Sequence, residues 1–303
     1  DYHRTLKEGP VHRLRRDPAA RPTSKEMSIP GHGWKVLIHA KAGPLVRFAA
    51  DDVREHLKTS MQVDVSVEPS LSLEDWAQQH RVIVAATREQ LPAIGDTLKG
   101  PKDYEIRVMP DRIVVCGYDD LGVMHGLFNL EARMNLREGP FLPSDLNTVR
   151  HSRYRTRMVL SWLGWMQWPD TYLSHLAHDG YDAIFASVYA NPNGVEGPPH
   201  YHLNRRQNAD RLNDLIRRAK RHGIKVYAPI LYGNTPEAEN KAKLREHVRD
   251  IVTKFPDIHG YILLTEGFQF GKFFGAGGHG NQDLREWARH WTGAVRIVAD
   301  ECH

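Results

Sequence analysis

Glu266 directly follows the apolar run 260–265 (GYILLT) and precedes Phe268 and Phe270. A carboxyl walled by aromatic carbon loses solvation, so its protonated form is favoured to higher pH. Such a group is a candidate proton donor near neutrality; an ordinary helix-terminal or ion-paired glutamate is the plainer reading. Three other apolar runs are followed by polar and aromatic residues in the same way. The run 157–161 (RMVLS) leads to Trp162, Trp165 and Trp168. The run 183–189 (AIFASVY) ends at Tyr189 and leads to Asn191, and 225–231 (KVYAPIL) leads to Tyr232 and Asn234. Aromatic faces cover the apolar C–H face of a pyranose, and amides bond its hydroxyls. The expected site is therefore Glu266 as the catalytic group, with Trp162, Trp165, Tyr189, Asn191, Tyr232, Asn234 and His279 binding substrate.

Other patterns carry less chemistry. His200 and His202 in PPHYH, with His279, form a conceivable ligand set for a metal-dependent isomerase or hydrolase. The chain has no HExxH, and these histidines are read as contacting substrate or solvent. No metal and no cofactor is expected. Gly275, Gly277, Gly278 and Gly280 lack the GxxxxGK[ST] and GxGxxG spacings, so they are read as a loop over the cleft, not a phosphate cradle. Arg217, Arg218, Lys220 and Arg221 read as a solvated helix face. Two cysteines, Cys116 and Cys302, make no disulfide framework.

The elements that must position these residues come next. In 151–303 the four apolar runs alternate with helical patterns at about 209–222, 236–254 and from 281 onward. Strands alternating with helices pair in parallel through right-handed crossovers. In a parallel barrel, catalytic groups stand at the C-terminal ends of the strands. Ser161, Asn191, Asn234 and Glu266 are thereby expected on one rim, with Glu266 within about 20 Å of Trp162.

Residues 34–136 read as a separate α/β domain. Its β-rich runs are 34–40, 63–67, 81–85, 104–108 and 112–116, the last two forming a hairpin through Pro110-Asp111. A helix from Pro44 carries Leu45, Phe48, Ala49, Val53 and Leu57 on one face, and a second spans about 121–135. Residues 137–150 read as a linker and 1–33 as an extended arm, because neither shows an apolar period. The expected fold class is α/β: a small α/β sandwich domain followed by a (β/α)8 TIM barrel, of which 151–303 would supply about the first four units. Four parallel strands leave an open edge, so the remaining half of the barrel is expected from further sequence or another chain.

Composition bounds the class. Hydrophobic residues at 41% and charged residues at 26% of 303 exclude wholesale disorder. No apolar run reaches the roughly 18 residues of a membrane-spanning helix. A net charge of +4 is too small to imply nucleic acid. The expected partner is a carbohydrate substrate, with no nucleic acid and no membrane.

The segment GYDDLGVMHGLFNLEARM, after a strand pair and before RYRTRMVLSW, resembles the end of the non-catalytic α/β domain preceding the barrel in several glycoside hydrolases. β-N-acetylhexosaminidases and the α-glucuronidases of xylan breakdown share that domain. Hexosaminidases that use the substrate's acetamido group carry an Asp-Glu pair after the fourth strand, where this chain has Thr265-Glu266. The run TEGFQFGKFFGAGGHG is similar to the α-glucuronidase arrangement, which implies Glu266 as general acid. The resemblance implies a secreted or periplasmic glycosidase of polysaccharide degradation. Base carboxylates would come from later barrel strands, beyond His303. The alternatives are a catalytically silent carbohydrate-binding relative and a β-N-acetylhexosaminidase-like enzyme.

Overall fold

The computed structural model describes residues 9–161, 168–186, 205–231, 238–264 and 284–302. They fall into two compact units. The first holds the described residues up to Arg157, with Pro169–Tyr181 and Arg221–Gly223; the second holds those of Met158–Trp168, Asp182–Lys220 and Ile224–His303.

The first unit is built on a six-stranded mixed sheet, in the order β3-β2-β4-β6-β5-β8. Its strands are β2 (Trp34–His39), β3 (Val65–Ser70), β4 (Val82–Thr87), β5 (Tyr104–Met109), β6 (Arg112–Gly117) and β8 (Asn147–Arg150). β3, β2, β4 and β6 run parallel, whereas β5 is antiparallel to both β6 and β8. All six residues of β4 are buried. The reason is that both faces are covered, which a central parallel strand needs. On one face Leu37, Val82, Val84, Val114 and Cys116 pack with Leu73, Leu91, Ile94 and Leu98 from the segment between β3 and β5.

The opposite face receives two helices. α1 (Pro44–Met61) has proline in its first turn, where a missing N–H costs nothing. Val46, Ala49, Ala50, Val53, Leu57 and Met61 are its buried apolar stripe. α2 (Asp120–Arg137) starts at Asp119, whose carboxylate accepts a hydrogen bond from the Gly122 N–H at 2.8 Å. The helix lies close to the sheet: a Cβ placed on Gly126 would stand 2.4 Å from Val115 Cγ1. α3 (Asp170–His178) adds the buried residues Leu173, Leu176 and Ala177 to this unit.

Two segments carry more structure than their sequences suggested. The arm contains β1 (Glu26–Ser28), which pairs antiparallel with β7 (Phe141–Pro143) of the expected linker. The rest of the linker supplies β8, an edge strand whose half-exposed side chains show no apolar alternation. Arg15 and Arg16 N–H groups both donate to the Ser60 carbonyl at the end of α1, at 3.0 and 2.9 Å. These ties are backbone hydrogen bonds, which side-chain periodicity does not reveal.

The second unit contains four parallel strands in sequential order: β9 (Met158–Ser161), β10 (Ala183–Ala186), β11 (Lys225–Leu231) and β12 (Gly260–Leu264). β10 is buried throughout. α4 (Arg205–Arg221), α5 (Ala238–Lys254) and α6 (Leu284–Cys302) accompany them. Leu212, Leu215, Ile216 and Ala219 of α4 are buried, as are Leu244, Val248 and Ile251 of α5. Glu301 of α6 accepts from Arg245 and Arg249 of α5 at 2.7 and 2.5 Å. Eight strands would close a barrel; the described residues form four in a row.

Candidate functional site

The four strands of the second unit all point the same way, so their C-terminal ends lie along one edge. The chain leaves that edge after Ser161, Ala186, Leu231 and Leu264. Ser161 pairs with Ala186 and Leu231 with Leu264, so these two pairs of ends are flush. β11 extends farther than β10, because Phe185 is opposite Tyr227, four residues before Leu231. A stagger of this kind accompanies tilted strands. Glu266, Trp162, Trp165, Tyr189, Asn191, Tyr232, Asn234 and His279 belong to the connections after these ends and lie outside the described residues. His200 and His202 do so too. Trp168, which follows the same strand as Trp162 and Trp165, is buried at 2% exposure. Its carbonyl accepts from Arg218 Nη1 at 2.6 Å, within the same unit. Its backbone adopts a positive φ of 46°.

The first unit assembles a polar cluster that sequence reasoning missed. His12 of the arm, Asp52 of α1, Glu131 of α2 and His178 of α3 each offer one ligating atom, and these four atoms all lie within 4.8 Å of one another. His12 Nε2 and His178 Nε2 approach the same oxygen, Asp52 Oδ2, at 3.0 and 2.9 Å. His178 Nε2 is also 3.1 Å from Glu131 Oε2. Its other nitrogen, Nδ1, is 2.8 Å from the Ser174 carbonyl one turn earlier and donates its proton there. The imidazole stacks on Phe128, with ring centroids 3.8 Å apart. His56, one turn beyond Asp52 on α1, is fully buried, with Nδ1 3.9 Å from Glu131 Oε2.

The electrostatics follow from burial among opposite charges. Burial opposes a charge on His178, but hydrogen bonds to Asp52 and Glu131 outweigh it and raise its pKa to about 10. Burial likewise opposes a charged Asp52, and hydrogen bonds from His12 and His178 overcome this, holding it well below the usual carboxylate range. Glu131 is pushed upward by burial, so the ion pair belongs to Asp52 and His178. His56 is driven down to about 3 by burial and by neighbouring His12, and stays a neutral imidazole. The one local signal in the sequence was the Asp52–His56 spacing of four, which puts both on one helical face.

His178 and Phe128 also border a cavity of about 270 Å³ in the first unit, with Tyr104, Asn129, Arg150 and Arg157 around it. At its margin Lys102 Nζ donates to the carbonyls of Tyr154 and Arg155. Asp103 binds His151 Nδ1 at 2.7 Å and the Ser152 N–H at 2.8 Å. Burial opposes its charge, and these bonds keep its carboxyl below the ordinary value. This cavity can hold a small polar group, with basic side chains in its wall.

No protein-family model and no curated protein matches the sequence. Solved structures of glycoside hydrolases do match in fold. A GH138 enzyme described as targeting pectin rhamnogalacturonan II is similar at a TM-score of 0.56 and 12% identity, over 76% of this chain and 30% of that one. CpGH84B is similar at 0.55 and 12% identity, over 82% of this chain and 43% of its own. CpGH84D is similar at 0.58 and 11% identity, over 97% of this chain and 49% of its own. The chain thus spans from 30% to 49% of the length of these structures. The fold is one that glycoside hydrolases use.

Proposed function

We propose that the chain is part of a glycoside hydrolase, in which Glu266 protonates the departing glycosidic oxygen. The observation that carries this reading is the common edge at Ser161, Ala186, Leu231 and Leu264, where four parallel strands end. In α/β barrels that edge is where catalytic groups stand, and every candidate residue of the sequence follows one of these ends. The fold likeness to glycoside hydrolases supports it.

In this proposal 34–136 is the non-catalytic α/β domain and 151–303 belongs to a TIM barrel. Trp162, Trp165, Tyr189, Tyr232 and His279 would line the sugar subsites, while Asn191 and Asn234 bond hydroxyls. A second carboxylate from outside the chain would activate water or attack the anomeric carbon. The run TEGFQFGKFFGAGGHG favours an α-glucuronidase-like specificity, and a secreted or periplasmic location suits a polysaccharide substrate. No helix of the described residues is long and apolar enough to cross a membrane.

The test is hydrolysis of a panel of uronic-acid, hexosamine and neutral glycosides by the parent protein and by its Glu266→Gln variant. Hydrolysis that Glu266→Gln sharply reduces supports the reading. Sugar binding without hydrolysis would favour the catalytically silent relative. Hydrolysis unchanged in Glu266→Gln would remove that residue from the mechanism.

A further inference from the structure

We propose that His12, Asp52, Glu131 and His178 form a binding site for one first-row divalent transition cation of the zinc type, separate from the glycosidase reading. Four segments of the first unit meet there: the arm, α1, α2 and α3. Two imidazole nitrogens and two carboxylate oxygens are ligands suited to such a cation.

The geometry fits. Zinc binds imidazole nitrogen and carboxylate oxygen at about 2.0–2.2 Å, so ligand atoms of a tetrahedron stand about 3.3–3.6 Å apart. The observed pairs at 2.9, 3.0 and 3.1 Å, and the 4.8 Å limit on every pair, bracket that edge length. Movements of a few tenths of an ångström in the close pairs would admit the ion. His178 is already oriented as a ligand: its Nδ1–H is used on the Ser174 carbonyl. In the neutral tautomer Nε2 then directs its lone pair at the carboxylates. A ligating histidine whose other ring nitrogen is fixed by a backbone carbonyl is the usual arrangement around zinc.

An independent observation comes from His56 and Glu131. His56 is fully buried, yet neither of its ring nitrogens finds a hydrogen-bond partner among the described residues. Glu131 Oε1, on a residue only 2% exposed, finds none either. Unpartnered buried polar atoms are costly. These unpartnered atoms border the cluster itself: His56 Nδ1 is 3.9 Å from Glu131 Oε2, and its ring centroid is 5.3 Å from that of His12. Charge also balances: the ion would displace the His178 proton to solvent, and two carboxylates and two neutral imidazoles around a divalent ion then sum to zero, which lowers the cost of burying them. The ion would clip the arm to three helices and stabilise the fold by binding the native state alone.

Zn²⁺ titrated calorimetrically into the chelator-treated, dialysed 303-residue chain at pH 7.5 is the test, with Mg²⁺ and Ca²⁺ as comparison ions. One saturable Zn²⁺ site, a melting temperature raised by a few degrees, and Co²⁺ absorption bands of low coordination number are expected. Asp52→Asn keeps the side-chain shape, and His12→Ala lies outside every helix; each should weaken Zn²⁺ at least about tenfold, the least that loss of even a supporting contact costs. His80→Ala, an exposed histidine paired with Asp111, should leave affinity unchanged. Folding of each variant is checked by far-ultraviolet circular dichroism. No saturable Zn²⁺ or Co²⁺ binding would overturn the proposal. Binding retained in both Asp52→Asn and His12→Ala would also overturn it, by placing the metal on other histidines.

Discussion

The guanidinium of Arg137, in the last turn of α2, grips both carboxylate oxygens of Glu26 on β1, with Nε to Oε1 at 2.6 Å and Nη2 to Oε2 at 3.0 Å. This fork joins the arm to the helix across 111 residues of chain. It holds the Glu26 carboxyl down at about 2, against an ordinary 4.5. A depressed carboxylate contributes stability that is complete above its unfolded value and is lost as pH falls through the folded one. Thermal melts of the wild type and Glu26→Gln should therefore differ most at pH 6. The difference should shrink from about pH 4.5 downward and vanish near pH 2. Its size at pH 6 should be about 1 kcal/mol, because solvent reaches the pair. A difference independent of pH would assign Glu26 a packing role instead.

Gly126 and Gly293 predict opposite outcomes for the same substitution. A Cβ on Gly126 would stand 2.4 Å from Val115 Cγ1 and 3.4 Å from the Tyr104 ring, so α2 must move off the sheet to admit it. Gly126→Ala should cost about 1–3 kcal/mol in urea unfolding. Gly293 lies inside α6, with no atom of the described residues within 4 Å of its Cβ position. Gly293→Ala should stabilise by about 0.5–1 kcal/mol through helix propensity. A neutral Gly126→Ala would show that α2 does not lie this close to β6.

The two cysteines should differ in reactivity. Cys116 is buried on β6, and burial together with the charge of Glu105 pushes its thiol up to about 12. Cys302 is exposed at the end of α6, with its thiol raised more modestly by partial burial and Glu301. Alkylation at pH 8 followed by mass spectrometry should label Cys302 in the native protein, and Cys116 only after denaturation, since the thiolate is the reactive form. Equal labelling of both in native protein would mean that the β4–β6 core opens readily.

Leaving-group dependence separates the roles open to Glu266. As general acid, its replacement by Gln should lower turnover of the natural glycan by roughly two to four orders of magnitude. Aryl glycosides with an acidic phenol should lose far less, because their departing oxygen needs little protonation. Equal losses on both would make Glu266 a nucleophile or a structural residue.

Much of the framework was legible because it is local. The runs 81–85 and 225–231 are apolar after a leading Arg81 or Lys225, the pattern of a strand within a parallel sheet, and β4 and β11 form there. Pro44 marks a helix start through its own backbone chemistry, and α1 begins at it; the second helix, read over about 121–135, runs over Asp120–Arg137 behind an Asp119 side-chain cap. The parallel order of β9 to β12 followed from strands alternating with helices.

What local spacing does not encode is which distant groups meet. β1, β7 and β8 are short and polar in part, and they exist because a partner strand supplies their hydrogen bonds. Trp168 resembles Trp162 and Trp165 in residue type and spacing, and only the packed chain shows that it is covered. His12 reaches Asp52 across 40 residues, His178 reaches Asp52 across 126, and Glu131 joins them from α2. Periodicity reports the geometry of one segment at a time. A ligand cluster drawn from four segments comes into being when the chain packs, because only then do side chains from separate elements share one small buried volume.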